Sequence, residues 1–328
     1  MPKLVTWQPP MRRVLYALAP ASLASIWLFG WRSLLVIAVV TLAGFLTEYV
    51  FGRFTKQGVT SSIFVTCLLF ALSLPPSIPL WIAVVGIVFG VVFGKMAFGG
   101  FGRNVFNPAL VGRVFIYVSF ALPMTTRWMD PATSASSLLS LPAGAGGFAR
   151  YAADATSSAT PLGALASGER VDLLSLLWGN VSGCIGETSA FLLILGGLYI
   201  VWKKAASWRI VLSSFAAFLV LESILWLAGV PRAADPLSAL LSGGVVLGLF
   251  FMATDPVSAA QTQGGRWIYG ALVGSLVVLI RVFSAWPEGT MFAILLGNTF
   301  APLADHLIRR RQAAAKGKAA TAAKGPAS

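Results

Sequence analysis

Acidic residues are scarce in this chain. There are 11 Asp and Glu against 24 Lys and Arg in 328 residues, and charged side chains make up 11% of the whole. A soluble domain carries about 25% charged residues. So little charge cannot cover a water-facing surface, which excludes an ordinary soluble globule. Cysteine is nearly absent too. Cys67 and Cys184 have no CxxC spacing and no His nearby, so no disulfide, zinc or iron–sulfur site is expected, and no other metal site is assigned. The one His, His306, stands near the C-terminal end of the last apolar run, where such a residue is most simply solvated.

What the chain has in abundance is apolar sequence. Hydrophobic residues reach 57% and the mean hydropathy is +0.81. Ten runs are long enough, or nearly so, to span a bilayer: 14–30, 33–51, 58–74, 78–95, 106–122, 185–202, 209–228, 236–253, 266–284 and 289–308. The first follows Arg12 and Arg13 as a signal-peptide core does. Another apolar run succeeds it in place of a cleavage site, so it reads as an uncleaved span. The fold class expected is an all-α polytopic membrane protein.

The net charge of +13 is distributed as a topology signal and not as a nucleic-acid groove. With the N-terminus inside, the inner connections hold Arg53, Lys56, Lys95, Arg103, Lys203, Lys204, Arg209 and Arg266. The inner C-terminus holds Arg309, Arg310, Arg311, Lys316, Lys318 and Lys324. Arg32, Arg127, Arg150, Arg170 and Arg232 fall outside, three of them in one long loop where charge counts for less. Both termini are therefore expected on the cytoplasmic side of the membrane, with the long loop outside.

The sequence also echoes itself. Asn104-Val-Phe-Asn-Pro108 returns as Asn298-Thr-Phe-Ala-Pro302, and Leu74-Pro-Pro-Ser77 and Asp255-Pro-Val-Ser258 each close a third span. Five spans per copy, an odd number, places the copies in opposite orientation, as in inverted-repeat transporters. The expected organisation is a first repeat over 1–122, an extracytoplasmic loop over 123–172 and a second repeat over 173–311. A disordered Ala/Lys/Gly tail then fills 312–328.

Few residues inside this frame can carry chemistry. Asn107 precedes Pro108 at a helix start, where it caps the helix or offers an amide to a polar guest. Asn104 either makes a turn or joins it. Glu187, Glu222 and Asp255 are acids in or beside apolar spans, where burying a carboxylate costs roughly 3 kcal/mol, so they are ion-path candidates. Capping is the plainer reading for Glu187 and Asp255. Arg113 and Arg281 are placed to pair with these acids. The loop stretch Tyr151–Leu165, YAADATSSATPLGAL, is rich in hydroxyls and turn formers. No His lies on its side of the membrane to activate Ser157, Ser158 or Thr160, so no catalytic residue is assigned.

Five stretches together resemble the RnfD/NqrB family of flavin-carrying membrane subunits: GGFGRNVFNPALVGR from Gly99, DATSSATPLGAL from Asp154, GCIGETSA from Gly183, FFMATDPVSA from Phe250 and GNTFAPLADH from Gly297. The resemblance implies a urea-transporter-like fold of ten helices in two inverted five-helix repeats. It implies FMN joined through its phosphate to Thr160 by a flavin transferase, with Asp154, Ser157, Ser158 and Ala159 forming the flavinylation motif. It further implies a second, noncovalent flavin, riboflavin, at Asn104 and Asn107. Cys184 stands where the family often has Ser. The short N-terminus favours the RnfD branch. The implied activity is electron transfer between ferredoxin and NAD, coupled to sodium or proton transport within the Rnf complex. The implied partners are the other Rnf subunits. An NqrB-type quinone reductase component is the near alternative. A channel or carrier for a small polar solute is the alternative of another class, and it leaves the DATSSAT loop without a purpose.

Overall fold

Pro9 and Pro10 open the first helix, α1 (Pro9–Phe29), where a missing N–H costs no bond. Gly30 ends it with a φ of 85°, a left-handed turn that leads straight into α2 (Trp31–Thr55). This is a computed structural model. It describes residues 5–126, 128–131, 151, 156–157, 160–187, 189–284, 286 and 288–323.

Two short strands, β1 (Val5–Thr6) and β2 (Val59–Thr60), pair in parallel beside these helices. Then come α3 (Ser62–Leu72), α4 (Leu80–Gly94), α5 (Pro108–Ser119) and the short α6 (Ala121–Thr125). Strands β3 (Trp128–Met129) and β4 (Thr156–Ser157) form an antiparallel bridge. Two short helices, α7 (Pro161–Ala166) and α8 (Leu173–Trp178), precede α9 (Ala190–Trp202) and α10 (Trp208–Leu227). The short α11 (Pro236–Leu241) and α12 (Val245–Leu247) lead into a π-helical turn over Gly248–Met252. Two long helices, α13 (Gln263–Phe283) and α14 (Thr290–Ala323), close the described chain.

Each of the ten apolar runs carries helix, but the helices differ in length. Among the described residues, five segments are long and apolar enough to cross a membrane: Trp31–Thr55, Leu80–Phe98, Trp208–Leu227, Gln263–Phe283 and Thr290–Ala315. Large apolar side chains such as Leu42, Val118, Leu198 and Val220 are left exposed on the outside, a surface suited to lipid and not to water. The chain is a polytopic membrane protein.

Some of the apolar runs are interrupted. Helix α3 has 11 residues, about 16 Å at 1.5 Å per residue, roughly half of a 30 Å hydrocarbon layer. Pro75 and Pro76 prevent its continuation. There its end meets the 184–186 loop: Ile185 N–H donates to the Leu74 carbonyl at 2.8 Å, and Gly186 N–H to that of Leu72 at 2.6 Å. The run from 236 breaks at Ser242–Gly244, where Gly243 has a φ of 62°.

Close helix crossings rest on small residues. A Cβ added at Gly90 of α4 would lie 2.5 Å from the Pro108 carbonyl oxygen, and one at Gly94 would lie 2.8 Å from Pro108 Cα. Only glycine lets the backbones of α4 and α5 approach so nearly. Helix α2 packs on α4 and α4 on α5, α10 packs on α13 and α13 on α14, and α1 lies against α9. The last helix, α14, runs on through Gln312–Ala323, consistent with alanine's high helix propensity.

Candidate functional site

Thr160 stands at the start of α7 and caps it. Its Oγ1 accepts a hydrogen bond from Gly163 N–H at 3.1 Å. Just upstream, Ser157 pairs with Trp128 and Thr156 with Met129, which ties this stretch to the chain leaving α6. Asp154, Ser158 and Ala159 lie outside the described residues, and only the backbone of Ser157 is described. The half-buried Thr160 opens on a cavity of about 160 Å³ lined also by Tyr117, Trp128, Ser182, Glu187 and Glu288.

The floor of this cavity is charged. Arg113, on the second turn of α5 and buried, forms an ion pair with Glu288 and lies 3.9 Å from Glu187 Oε1. Its guanidinium also donates to Cys184 Sγ at 3.5 Å. Glu187 does not cap the next helix, because Ser189 does so through Leu192 N–H. Its Oε2 accepts one long bond, 3.4 Å, from Cys184 N–H. Among the described residues, Glu187 Oε1 and Arg113 Nε have no hydrogen-bond partner. Burial pushes the Cys184 thiol well up, so it stays neutral. Burial also pushes the Glu288 carboxyl up to about 7, against the pull of Arg113.

A second cavity, of about 50 Å³, lies at the other end of α5. Lys95, Phe101, Asn104, Asn107, Phe251 and Asp255 line it. Asn107 does cap α5, accepting from Ala109 N–H at 3.0 Å, and its amide also donates to the Met252 carbonyl at 3.2 Å. Its own N–H donates to Asn298 Oδ1 at 3.3 Å, so the two copies of the repeated motif meet. Asn104 turns its amide back to the Phe106 carbonyl at 3.1 Å. Asp255 closes its own turn, accepting from Ser258 Oγ at 2.8 Å. His306 is exposed, while its neighbour Asp305 accepts from the N–H groups of Gln261 and Thr262.

Glu222 stands apart from both cavities. It is buried on α10 and accepts from Ala234 N–H at 3.1 Å. Arg281, at the end of α13, donates to the carbonyls of Ala239 and Ser242, and so satisfies the broken end of α11. A small space of about 30 Å³ between them reaches Leu162 and Leu165 of α7.

Glu187 thus lines the Thr160 cavity with Arg113 beside it, and Asn104, Asn107 and Asp255 share the other. Three more charged residues belong to these clusters, two of them without a plain mark in the sequence. Glu288, in a Trp-Pro-Glu-Gly turn, looks like any solvated loop acid. Lys95 passes as a topology charge, yet it is buried, and its Nζ lies 2.6 Å from Glu48 Oε2 and 2.8 Å from Ser62 Oγ. Glu48 was the findable one, an acid in the middle of an apolar run.

Residues 3–314 match the NQR2, RnfD, RnfE family. The chain belongs to this family. It is 42% identical over 287 residues to a component of the Na(+)-translocating NADH-quinone reductase of Ectopseudomonas mendocina (strain ymp), across 83% of this chain and 66% of that protein. It is 37% identical over 316 residues to a component of the ion-translocating oxidoreductase complex of Alcanivorax borkumensis, across 92% of this chain and 91% of that protein. The corresponding component of the complex in Shigella dysenteriae serotype 1 is 35% identical over 326 residues, across 92% of each chain. Relatives of both kinds within the NQR2, RnfD, RnfE family therefore align with most of the chain.

Proposed function

We propose that this chain is the flavin-carrying membrane subunit of an ion-translocating electron-transport complex of the Rnf type. FMN is held on Thr160 through a phosphoester, and electron passage is coupled to sodium or proton movement. The observation that carries the reading is the position of Thr160, a half-buried hydroxyl at the mouth of a cavity walled by Tyr117 and Trp128. The residues present fit the group. The hydroxyl is the only chemistry that attachment asks of the chain, and the aromatic walls suit a flat ring system. When bound, the isoalloxazine supplies one- and two-electron redox chemistry. The chain supplies position through the β3–β4 bridge and electrostatics through Arg113, Glu187 and Glu288. The flavin transferase and the other members of the complex are the partners in this reading. A noncovalent riboflavin in the Asn104–Asn107 cavity belongs to it as well.

Ten spans in two inverted five-helix repeats form the frame. This is supported by the matched packing of α2, α4 and α5 with α10, α13 and α14, and by the meeting of Asn107 with Asn298. The frame puts both termini in the cytoplasm and Thr160 outside the inner membrane.

The decisive experiment expresses the chain with its transferase, denatures it and views the gel under ultraviolet light. Fluorescence stays with the wild-type band and is absent from Thr160→Ala. A dark wild-type band, with the transferase active on a control substrate, overturns the reading. A second reading, a membrane component of an NADH:quinone reductase, is favoured by the 42% identical relative. Deleting the gene separates the two: loss of ferredoxin:NAD activity from membranes supports the first, and loss of NADH:quinone activity the second.

A further inference from the structure

Among the described residues, the charges beneath Thr160 do not balance. Arg113 makes one good ion pair, with Glu288, and stands at the long distance of 3.9 Å from Glu187. The side chain of Glu187 is 8% exposed, and its Oε1 has no hydrogen-bond partner among the described residues. The next cation, Arg281, is committed by hydrogen bonds to the Ala239 and Ser242 carbonyls, and its charge is shared at longer range among Glu187, Glu222 and Glu288. Among the described residues, two guanidinia therefore serve the carboxylates of Glu187, Glu222 and Glu288. A buried carboxylate without a matching donor or counter-charge costs several kcal/mol, so a site like this one is completed by something that brings positive charge.

We propose that Glu187 and Glu288 hold one hard monovalent cation of the alkali-metal class on the floor of the Thr160 cavity. Their ligand atoms and Cys184 Sγ all lie within 4.8 Å of one another, near enough to share an ion. The carboxylate oxygens are hard donors, which selects against soft metals, and the neutral thiol contributes little. The single excess negative charge selects a monovalent ion over a divalent one, which two nearby guanidinia repel. Glu288 gives Oε2 to Arg113, and its Oε1 accepts only a long 3.9 Å contact from the Cys184 thiol, which an ion can displace. The adjoining cavity of about 160 Å³ leaves room for the waters that complete the coordination shell and for entry. The site stands whether or not a flavin is attached at Thr160.

The test uses the chain purified within its complex at mildly alkaline pH. Melting is followed as NaCl replaces choline chloride at constant ionic strength. Sodium raises the melting temperature saturably. Glu187→Gln weakens the apparent sodium affinity at least about tenfold, a loss of about 1.4 kcal/mol. Glu288→Gln has the same effect, because it removes the second ligand carboxylate and also frees Arg113 to neutralise Glu187; it serves as the readout if Glu187→Gln does not fold. Cys184→Ser exchanges a soft neutral thiol for a hydroxyl and tightens sodium binding several-fold. Thr160→Ala retains the sodium response, so failure of the flavin reading leaves this one standing. No rise beyond that seen with choline, or a rise that survives both Glu substitutions, overturns the proposal.

Discussion

Glu48 and Glu222 are held in the same way in the two parts of the molecule. Each sits buried on a long helix, α2 or α10, and accepts a hydrogen bond from the backbone N–H of a residue 12 positions on. Each has a cation at the end of a neighbouring helix, Lys95 after α4 and Arg281 on α13. The copies then diverge. Lys95 closes on Glu48 at 2.6 Å, whereas Arg281 bonds carbonyls and leaves Glu222 without a close ion pair.

Lys95→Met leaves Glu48 buried with hydroxyl and amide partners only. Removing one partner of such a pair costs about 3–5 kcal/mol. The double change Lys95→Met/Glu48→Gln recovers most of that. Thermal unfolding of the four proteins in detergent gives the coupling energy, and simple additivity would refute the pairing.

The α4–α5 crossing is the next point of strain. Gly90→Val drives a branched side chain into the Pro108 carbonyl and destabilises by about 1–3 kcal/mol through overpacking. The same change at Gly102, where an added Cβ meets nothing within 4 Å, is milder; its φ of 87° still disfavours a side chain. A melt equal at the two sites would contradict the crossing.

Asp172 predicts a local effect of acid. It caps α8 through Ser175 N–H and Oγ, and these bonds hold its carboxyl below the ordinary 3.8. A depressed folded value means that the stabilisation is present above that pH and is lost as pH falls through the folded value. Amide exchange over Leu173–Trp178 therefore speeds up below about pH 4 beyond its intrinsic change. Asp172→Asn flattens that dependence.

Capping and attachment can be separated at Thr160. Asn caps a helix as well as Thr does, but it offers no hydroxyl for a phosphoester. Thr160→Asn is expected to fold and stay dark in the fluorescence gel, while Thr160→Ser stays bright. A bright Asn variant would move the attachment elsewhere.

Much of this architecture was readable from the residues. The apolar runs locate the helices because lipid leaves the backbone few alternatives. Asn107-Pro108 gives the start of α5, since cap and first-turn proline act locally. The cluster of Arg113, Cys184, Glu187 and Glu288 was not readable as a site. Its members come from three separate segments, and only the packed fold brings positions 113, 187 and 288 together. Lys95 carries no local sign of its partner, because a basic residue at a span end looks the same whether it meets headgroups or a buried acid. The half-length of α3 follows from Pro75 and Pro76, yet the loop that meets its end, at Ile185 and Gly186, left no local mark.

Both native thiols, Cys67 and Cys184, are 0% exposed and unpaired. The wild-type chain is thus already a quiet background for membrane-impermeant maleimides, with no need to strip its own sulfur first. A cysteine placed at the exposed Ser167 reports from the Thr160 end, and one at the exposed Gln57 from the opposite end. Intact cells that label Ser167→Cys and spare Gln57→Cys until lysed would fix which compartment each cavity serves.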